Sequence, residues 1–192
     1  MADVILFHHA LGLTEGVQDF ARRLRAAEHR VTVPDLYQGQ TFETVEAGVE
    51  HAQKTGFDEI LRRGVAAAAE MPAACVYAGF SLGVMPAQKL AQTRHGAIGA
   101  LLYHSLIPVS EFGPAWPDGV ALQVHVTERD KWEDLSAIRQ IAEGIPGSEL
   151  LVYPGSAHLA ADSSFGEYDA AIAEVIVEKS IEFLDRLSNT VR

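Results

Sequence analysis

Six short apolar runs recur along the 192-residue chain, and each is followed by a segment whose apolar residues return at helical spacing. This alternation restricts the fold more than any other feature. Repeated strand-then-helix units pair as a parallel sheet, and strands apolar at successive positions need cover on both faces. The runs predict strands at 4–7, 30–33, 74–78, 98–103, 120–126 and 150–153. The spacing predicts helices at 15–28, 42–54, 57–70, 84–95, 132–143 and 167–187. In the first helix Val17, Phe20, Ala21, Leu24 and Ala27 share a face; in the last, Ile172, Val175, Ile176, Phe183, Leu184 and Leu187 do so. The expectation is one α/β domain over residues 1–192, a minimal doubly wound sheet of about six parallel strands with helices on both faces. Ligands of such sheets bind beyond the carboxyl ends of the strands, so the loops that leave strands carry the functional candidates.

Composition excludes several classes. The formal net charge is −11 and no Lys/Arg cluster occurs, so binding nucleic acid by phosphate neutralisation is not expected. The single cysteine, Cys75, lies in an apolar run; it allows no intramolecular disulfide and reads as a buried core thiol. Met1-Ala2-Asp3 places an acid where a signal peptide carries positive charge, and no apolar stretch approaches a membrane span. A cytoplasmic protein without a membrane partner is expected. The chain contains no G-x-x-x-x-G-K-[ST], G-x-G-x-x-G or H-E-x-x-H, so no cofactor and no metal are expected either. Nothing in the pattern points to an oligomeric state.

Gly79-Phe80-Ser81-Leu82-Gly83 stands directly behind the third apolar run and in front of a helical segment. Strand, sharp turn and helix form the context in which G-x-S-x-G exposes a nucleophilic serine. Two glycines let the chain fold tightly on both sides of Ser81. A serine hydroxyl needs a base to take its proton. Of the eight histidines, His29, His51 and His95 fall on or near helices and read as solvated, and His125 lies inside a strand as a satisfied face residue. His104 follows the fourth strand and stays open as a candidate. His158 ends the loop Tyr153-Pro154-Gly155-Ser156-Ala157-His158, which leaves the last strand on the rim that carries Ser81. An acid between the two in sequence completes the order Ser, Asp/Glu, His. The fifth strand delivers Thr127-Glu128-Arg129-Asp130, and Asp130 is preferred over Glu128 and Asp134. Its competing role is the N-cap of the helix that follows.

Nearly the whole chain, from Val4 to Leu187, resembles the dienelactone hydrolase family of α/β-hydrolases. The landmarks are Leu11-Gly12-Leu13-Thr14, Pro34-Asp35-Leu36-Tyr37, the Gly79–Gly83 pentapeptide, Gly155-Ser156-Ala157-His158 and Asp162-Ser163-Ser164…Tyr168-Asp169. The resemblance implies an α/β-hydrolase fold, a triad on Ser81, Asp130 and His158, and an oxyanion hole from the backbone amides of Leu82 and Ala10. This chain departs from the family in four ways. Serine replaces the cysteine nucleophile of the best-known members, and His9 stands where they carry a glutamate. Of the two arginines that grip the substrate carboxylate, one position holds Asp162 and the other lies in a shortened segment. The strands that usually precede the first one are missing.

Without a cationic clamp an anionic substrate is not oriented, so the expected partner is a small uncharged ester or lactone. His9, Phe112, Trp116 and Trp132 are candidates for lining its pocket, the middle two from the Pro/Gly-rich stretch 107–119. Hydrolysis through an acyl-enzyme is the leading expectation. The alternatives are a thioesterase or acyltransferase built on the same three residues, and a binding module without catalysis.

Overall fold

The computed structural model describes residues 1–190. Six strands, β1 (Asp3–Phe7), β2 (Arg30–Thr32), β3 (Cys75–Phe80), β4 (Gly99–Tyr103), β5 (Ala121–Thr127) and β6 (Glu149–Tyr153), form one sheet in the order β2-β1-β3-β4-β5-β6. Every neighbouring pair is parallel. The helices are α1 (Glu15–Ala26), α2 (Val45–Thr55), α3 (Phe57–Ala67), α4 (Val84–Thr93), α5 (Leu135–Glu143) and α6 (Ala170–Thr190). The chain order reverses at β1 and β3, which puts their carboxyl ends side by side at the crevice where doubly wound sheets bind ligands.

Alternation along the strands divides the core in two. Val4, Leu6, Val76, Ala78, Phe80, Leu101 and Tyr103 pack with Val17, Phe20 and Leu24 of α1 and Ile176, Phe183 and Leu184 of α6. On the other face Ile5, Phe7, Tyr77, Leu102, Leu122, Val124 and Val126 pack with Ile60 of α3, Ala87 and Leu90 of α4 and Ile138 of α5. A fully buried Val, Leu or Phe side chain contributes roughly 1.5–3 kcal/mol, so both layers are needed to hold a sheet this apolar. Cys75 is fully buried in β3, and burial pushes its thiol up to about 12, as an inert core residue requires.

Helix starts differ from the periodicity, and capping side chains are the reason. The predicted helix at 42–54 begins at Val45, because the Thr44 hydroxyl accepts the Ala47 N–H. The helix predicted from 132 begins at Leu135, where Asp134 accepts the N–H groups of Ser136 and Ala137. The last helix starts at Ala170 rather than 167, with Asp169 accepting from Ala171 and Ile172. Val175, expected to face inward, is exposed. His29, expected in solvent, is buried and its Nδ1 accepts the Ala2 N–H at 3.2 Å.

Candidate active site

β3 ends at Phe80 and the chain turns at once through a single helical turn, Ser81–Gly83, into α4. Ser81 takes φ 47°, a left-handed conformation costly for a residue with a Cβ, so the surrounding packing must impose it. The glycines explain how. A Cβ on Gly79 would stand 2.2 Å from the Gly83 carbonyl oxygen, and one on Gly83 would stand 2.5 Å from that of Phe7. The turn is therefore wedged against the end of β1, and Ser81 is the half-buried point of it. Gly79→Ala is expected to destabilise the protein by about 2 kcal/mol or more, because its clash is with backbone. Chemical unfolding of the variant checks this; unchanged stability would mean that the turn yields.

The loops after β5 and β6 complete the arrangement. Ser81 Oγ lies 2.8 Å from His158 Nε2, and His158 Nδ1 lies 2.6 Å from Asp130 Oδ2. The carboxylate accepts from Nδ1–H, which leaves Nε2 free to accept the serine proton. His158 and Asp130 are both buried, so their interaction is little screened by water. Asp130 Oδ1 accepts the Trp132 N–H at 2.9 Å, and Asp134, not Asp130, caps the following helix. Glu128 is exposed and its N–H is tied to Tyr153 O at 2.9 Å. The His158 backbone N–H donates to Glu167 Oε2 at 3.0 Å, a holding contact that no sequence pattern signals.

Two rings flank the His158 imidazole. Trp132 lies 6.1 Å from it between centroids and His104 lies 5.9 Å away. His104 is wholly buried, has φ 62°, and neither of its ring nitrogens has a hydrogen-bond partner among the described residues. Burial holds its imidazole well below the usual range, so it sits neutral behind His158 rather than in reach of a substrate. Ser81 pairs with His158 instead. His125, also buried, bonds Tyr153 and Gln123 within the sheet.

The segment after β1 carries Ala10, whose amide the resemblance assigns to the oxyanion hole beside that of Leu82. α2 presses on this segment at Gly48, where a Cβ would stand 2.0 Å from Ala10 O. His9, expected as a pocket residue, is instead fully buried with both nitrogens engaged: Nε2 donates to Asp162 Oδ2 at 2.6 Å and Nδ1 accepts from Leu11 N–H at 3.2 Å. Asp162 also accepts from Thr14 and from the backbone and hydroxyl of Ser164. Burial opposes ionisation of Asp162, but the interaction with His9, with the donors of Ser164 and Thr14, overcomes it and pulls the carboxyl down to about 2. The acid that stands in place of a substrate-gripping arginine therefore points into the protein. His8 is packed: Nδ1 donates to His9 O and Nε2 accepts from Leu36 N–H, and burial lowers it to about 4.

The stretch 107–119 lies over α4 and α5. The Phe112 ring faces Lys89 Nζ at 5.6 Å, and Trp116 Nε1 donates to Val120 O at 2.7 Å. Trp116 lines a depression of about 480 Å³ with Pro108, Ile141 and Pro146, and neither Ser81, Asp130 nor His158 forms part of its wall. Trp116 thus lines a depression apart from the three residues, Phe112 faces Lys89, and Trp132 lies beside the histidine.

Comparison with known proteins agrees with this architecture. A search of curated proteins gives no match. Among solved structures, the chain is similar to a putative dienelactone hydrolase from Klebsiella pneumoniae subsp. pneumoniae MGH 78578, with TM-score 0.74, 16% identity, and 96% of this chain and 87% of that one covered. It is similar to P91, a dienelactone hydrolase-like promiscuous phosphotriesterase from metagenomic libraries, with TM-score 0.72, 14% identity and coverage of 97% and 87%. The dienelactone hydrolase from Anabaena variabilis ATCC 29413 aligns with TM-score 0.67, 16% identity and coverage of 94% and 84%. At such identities these likenesses speak to the fold, which is that of the α/β-hydrolases. The model of the dienelactone hydrolase family matches residues 1–188, nearly the entire chain with its serine turn and both loops beyond it, and the protein belongs to that family.

Proposed function

We propose that this hydrolase cleaves small uncharged esters or lactones through an acyl-enzyme on Ser81, with His158 as general base and Asp130 as its orienting acid. The observation that carries this reading is the unbroken hydrogen-bonded chain from Ser81 Oγ through His158 to Asp130 at 2.8 and 2.6 Å. In the first step Ser81 Oγ attacks the carbonyl carbon while its proton passes to His158 Nε2. Asp130 accepts from Nδ1–H and stabilises the imidazolium. The backbone N–H groups of Leu82 and Ala10 take up the oxyanion charge, a donor pair of the kind whose single members are worth on the order of 10²–10³ in rate. Collapse expels the alcohol, which leaves with the proton from His158. Water then attacks the acyl-enzyme, gives its proton to the same nitrogen, and releases the acid as Ser81 recovers its own.

A fluorophosphonate probe tests the nucleophile, since only an activated serine is labelled rapidly. Rapid labelling mapped by peptide mass spectrometry to Ser81 is the expected result; labelling elsewhere, or none, would sink the assignment. Asp130→Asn is expected to lower kcat on a short p-nitrophenyl ester by about 10⁴, because the amide fixes the wrong imidazole tautomer. A loss below tenfold would remove Asp130 from the mechanism.

A further inference from the structure

The peptide that joins Ala157 to His158 is held at both of its polar ends. Its carbonyl oxygen accepts from the Thr127 hydroxyl at 3.0 Å, and its N–H donates to Glu167 Oε2 at 3.0 Å. In a trans peptide these two groups point in opposite directions, so the holders stand on opposite sides of the chain. Thr127 is the buried last residue of β5, on the strand that delivers Asp130. The residues just after it donate to the loop after β6, Glu128 N–H to Tyr153 O and Arg129 N–H to Gly155 O, both at 2.9 Å. On that side the acid loop and the histidine loop are stitched together.

Glu167 comes from the other side. α6 begins only at Ala170, so Glu167 stands half-buried on the loop ahead of it. Two turns, closed by Phe165 N–H on Asp162 O and by Tyr168 N–H on Phe165 O, fold this loop back, and Asp169 N–H fastens it to Ala160 O. The fold returns the Glu167 carboxylate to the His158 amide, where it makes a charge-assisted bond, stronger than a neutral one.

We propose that Glu167 is a positioning residue for His158: with Thr127 it fixes the backbone that carries the imidazole, and so the aim of Nε2 at Ser81. The inference rests on the ester-hydrolase reading above. With both ends bonded the peptide neither turns nor shifts, and only the side-chain torsions of His158 remain to be set. Asp130 at Nδ1 and Ser81 at Nε2 set them. Removing the Glu167 carboxylate frees the peptide on its outer side, and a displacement of about 1 Å at a reacting group costs on the order of 10² in rate.

The test compares Glu167→Ala and Glu167→Gln on p-nitrophenyl acetate. A second readout is the proton NMR signal of the His158 Nδ1–H that Asp130 accepts, assigned by its absence from His158→Ala. Glu167→Ala should lower kcat by about 10- to 100-fold and change KM by less than about threefold, because His158 serves acylation and deacylation alike. Its Nδ1–H signal should broaden or vanish. Glu167→Gln keeps an acceptor oxygen and should restore most of the rate and the signal. If Glu167→Ala folds poorly, Glu167→Asp, which draws the carboxylate back by one methylene, takes its place with the same expectations. Wild-type kcat in the alanine variant overturns the proposal, and so does a loss of rate with the signal intact, since His158 would then be in place. A glutamine variant as slow as the alanine variant also overturns it, because charge and not the hydrogen bond would then matter. If the wild type turns over no ester, the hydrolase reading fails instead, and the Nδ1–H signal by itself decides whether Glu167 orients His158.

Discussion

Ser81→Ala is expected to lower kcat on a short p-nitrophenyl ester by on the order of 10⁶, and His158→Ala by a similar factor. The size follows from dependence rather than from addition. Ser81 Oγ is a poor nucleophile unless His158 Nε2, 2.8 Å away, takes its proton, and His158 has no proton to accept once the hydroxyl is gone. The double variant should therefore be no worse than either single one. What survives in all three is the contribution of the backbone amides and of substrate binding. Steady-state kinetics on the three variants, beside active-site titration of the wild type, checks this. Multiplicative losses in the double variant would mean that the two side chains act in separate steps, and wild-type turnover in both single variants would mean that the chemistry lies elsewhere.

The second large effect concerns stability. His9→Ala and Asp162→Ala should each cost roughly 3–5 kcal/mol, since each leaves a buried polar group short of its partner. For a domain of this size that is a fall in melting temperature of about 6–20 °C. The pair is 2.6 Å apart and almost free of solvent, and Asp162 is held besides by Thr14 and Ser164. Replacing both residues should cost less than the sum of the single changes, which a double-mutant cycle in urea measures. The sign with pH follows from the lowered carboxyl. Asp162 sits at about 2 in the folded protein and near about 3.9 in an unfolded chain, so its contribution is present above about pH 4 and is lost as pH falls toward about 2. Asp162→Asn should lack that part of the acid destabilisation. Equal acid sensitivity in variant and wild type would show that the pair does not govern it.

This pair also ties two parts of the site together. His9 precedes Ala10 on the segment after β1, and Asp162 follows His158 by four positions on the loop after β6. A bond between residues 153 apart in sequence thus holds the segment of a proposed oxyanion donor against the loop of the proposed base.

The strand–helix alternation was readable because burial in a doubly wound sheet imposes a local period, and local periods survive in a one-dimensional string. All six strands appear where apolar runs stand, and the turn at Ser81 sits where two glycines flank a serine behind one of them. Asp130 and His158 could be singled out because parallel strands deliver their loops to one rim, so chain order and strand ends suffice to nominate them. Helix starts were less legible, since Thr44, Asp134 and Asp169 compete with equally polar neighbours for the capping role.

Other features needed the folded chain. His9 reads as a pocket residue, and Asp162 as the residue in place of a substrate-gripping arginine, until the tertiary structure closes them on each other; His29 reads as solvated until it meets the Ala2 amide. Phe112 and Trp116 lie on a loop that leaves β4 on the correct rim, yet they pack along α4 and α5. By itself the sequence determined the layers, the tight turn at Ser81 and the chain order of the three candidate residues, because each depends on neighbours along the chain. Only the tertiary structure decided which polar groups are buried in pairs, because that depends on distances between loops that no local pattern encodes.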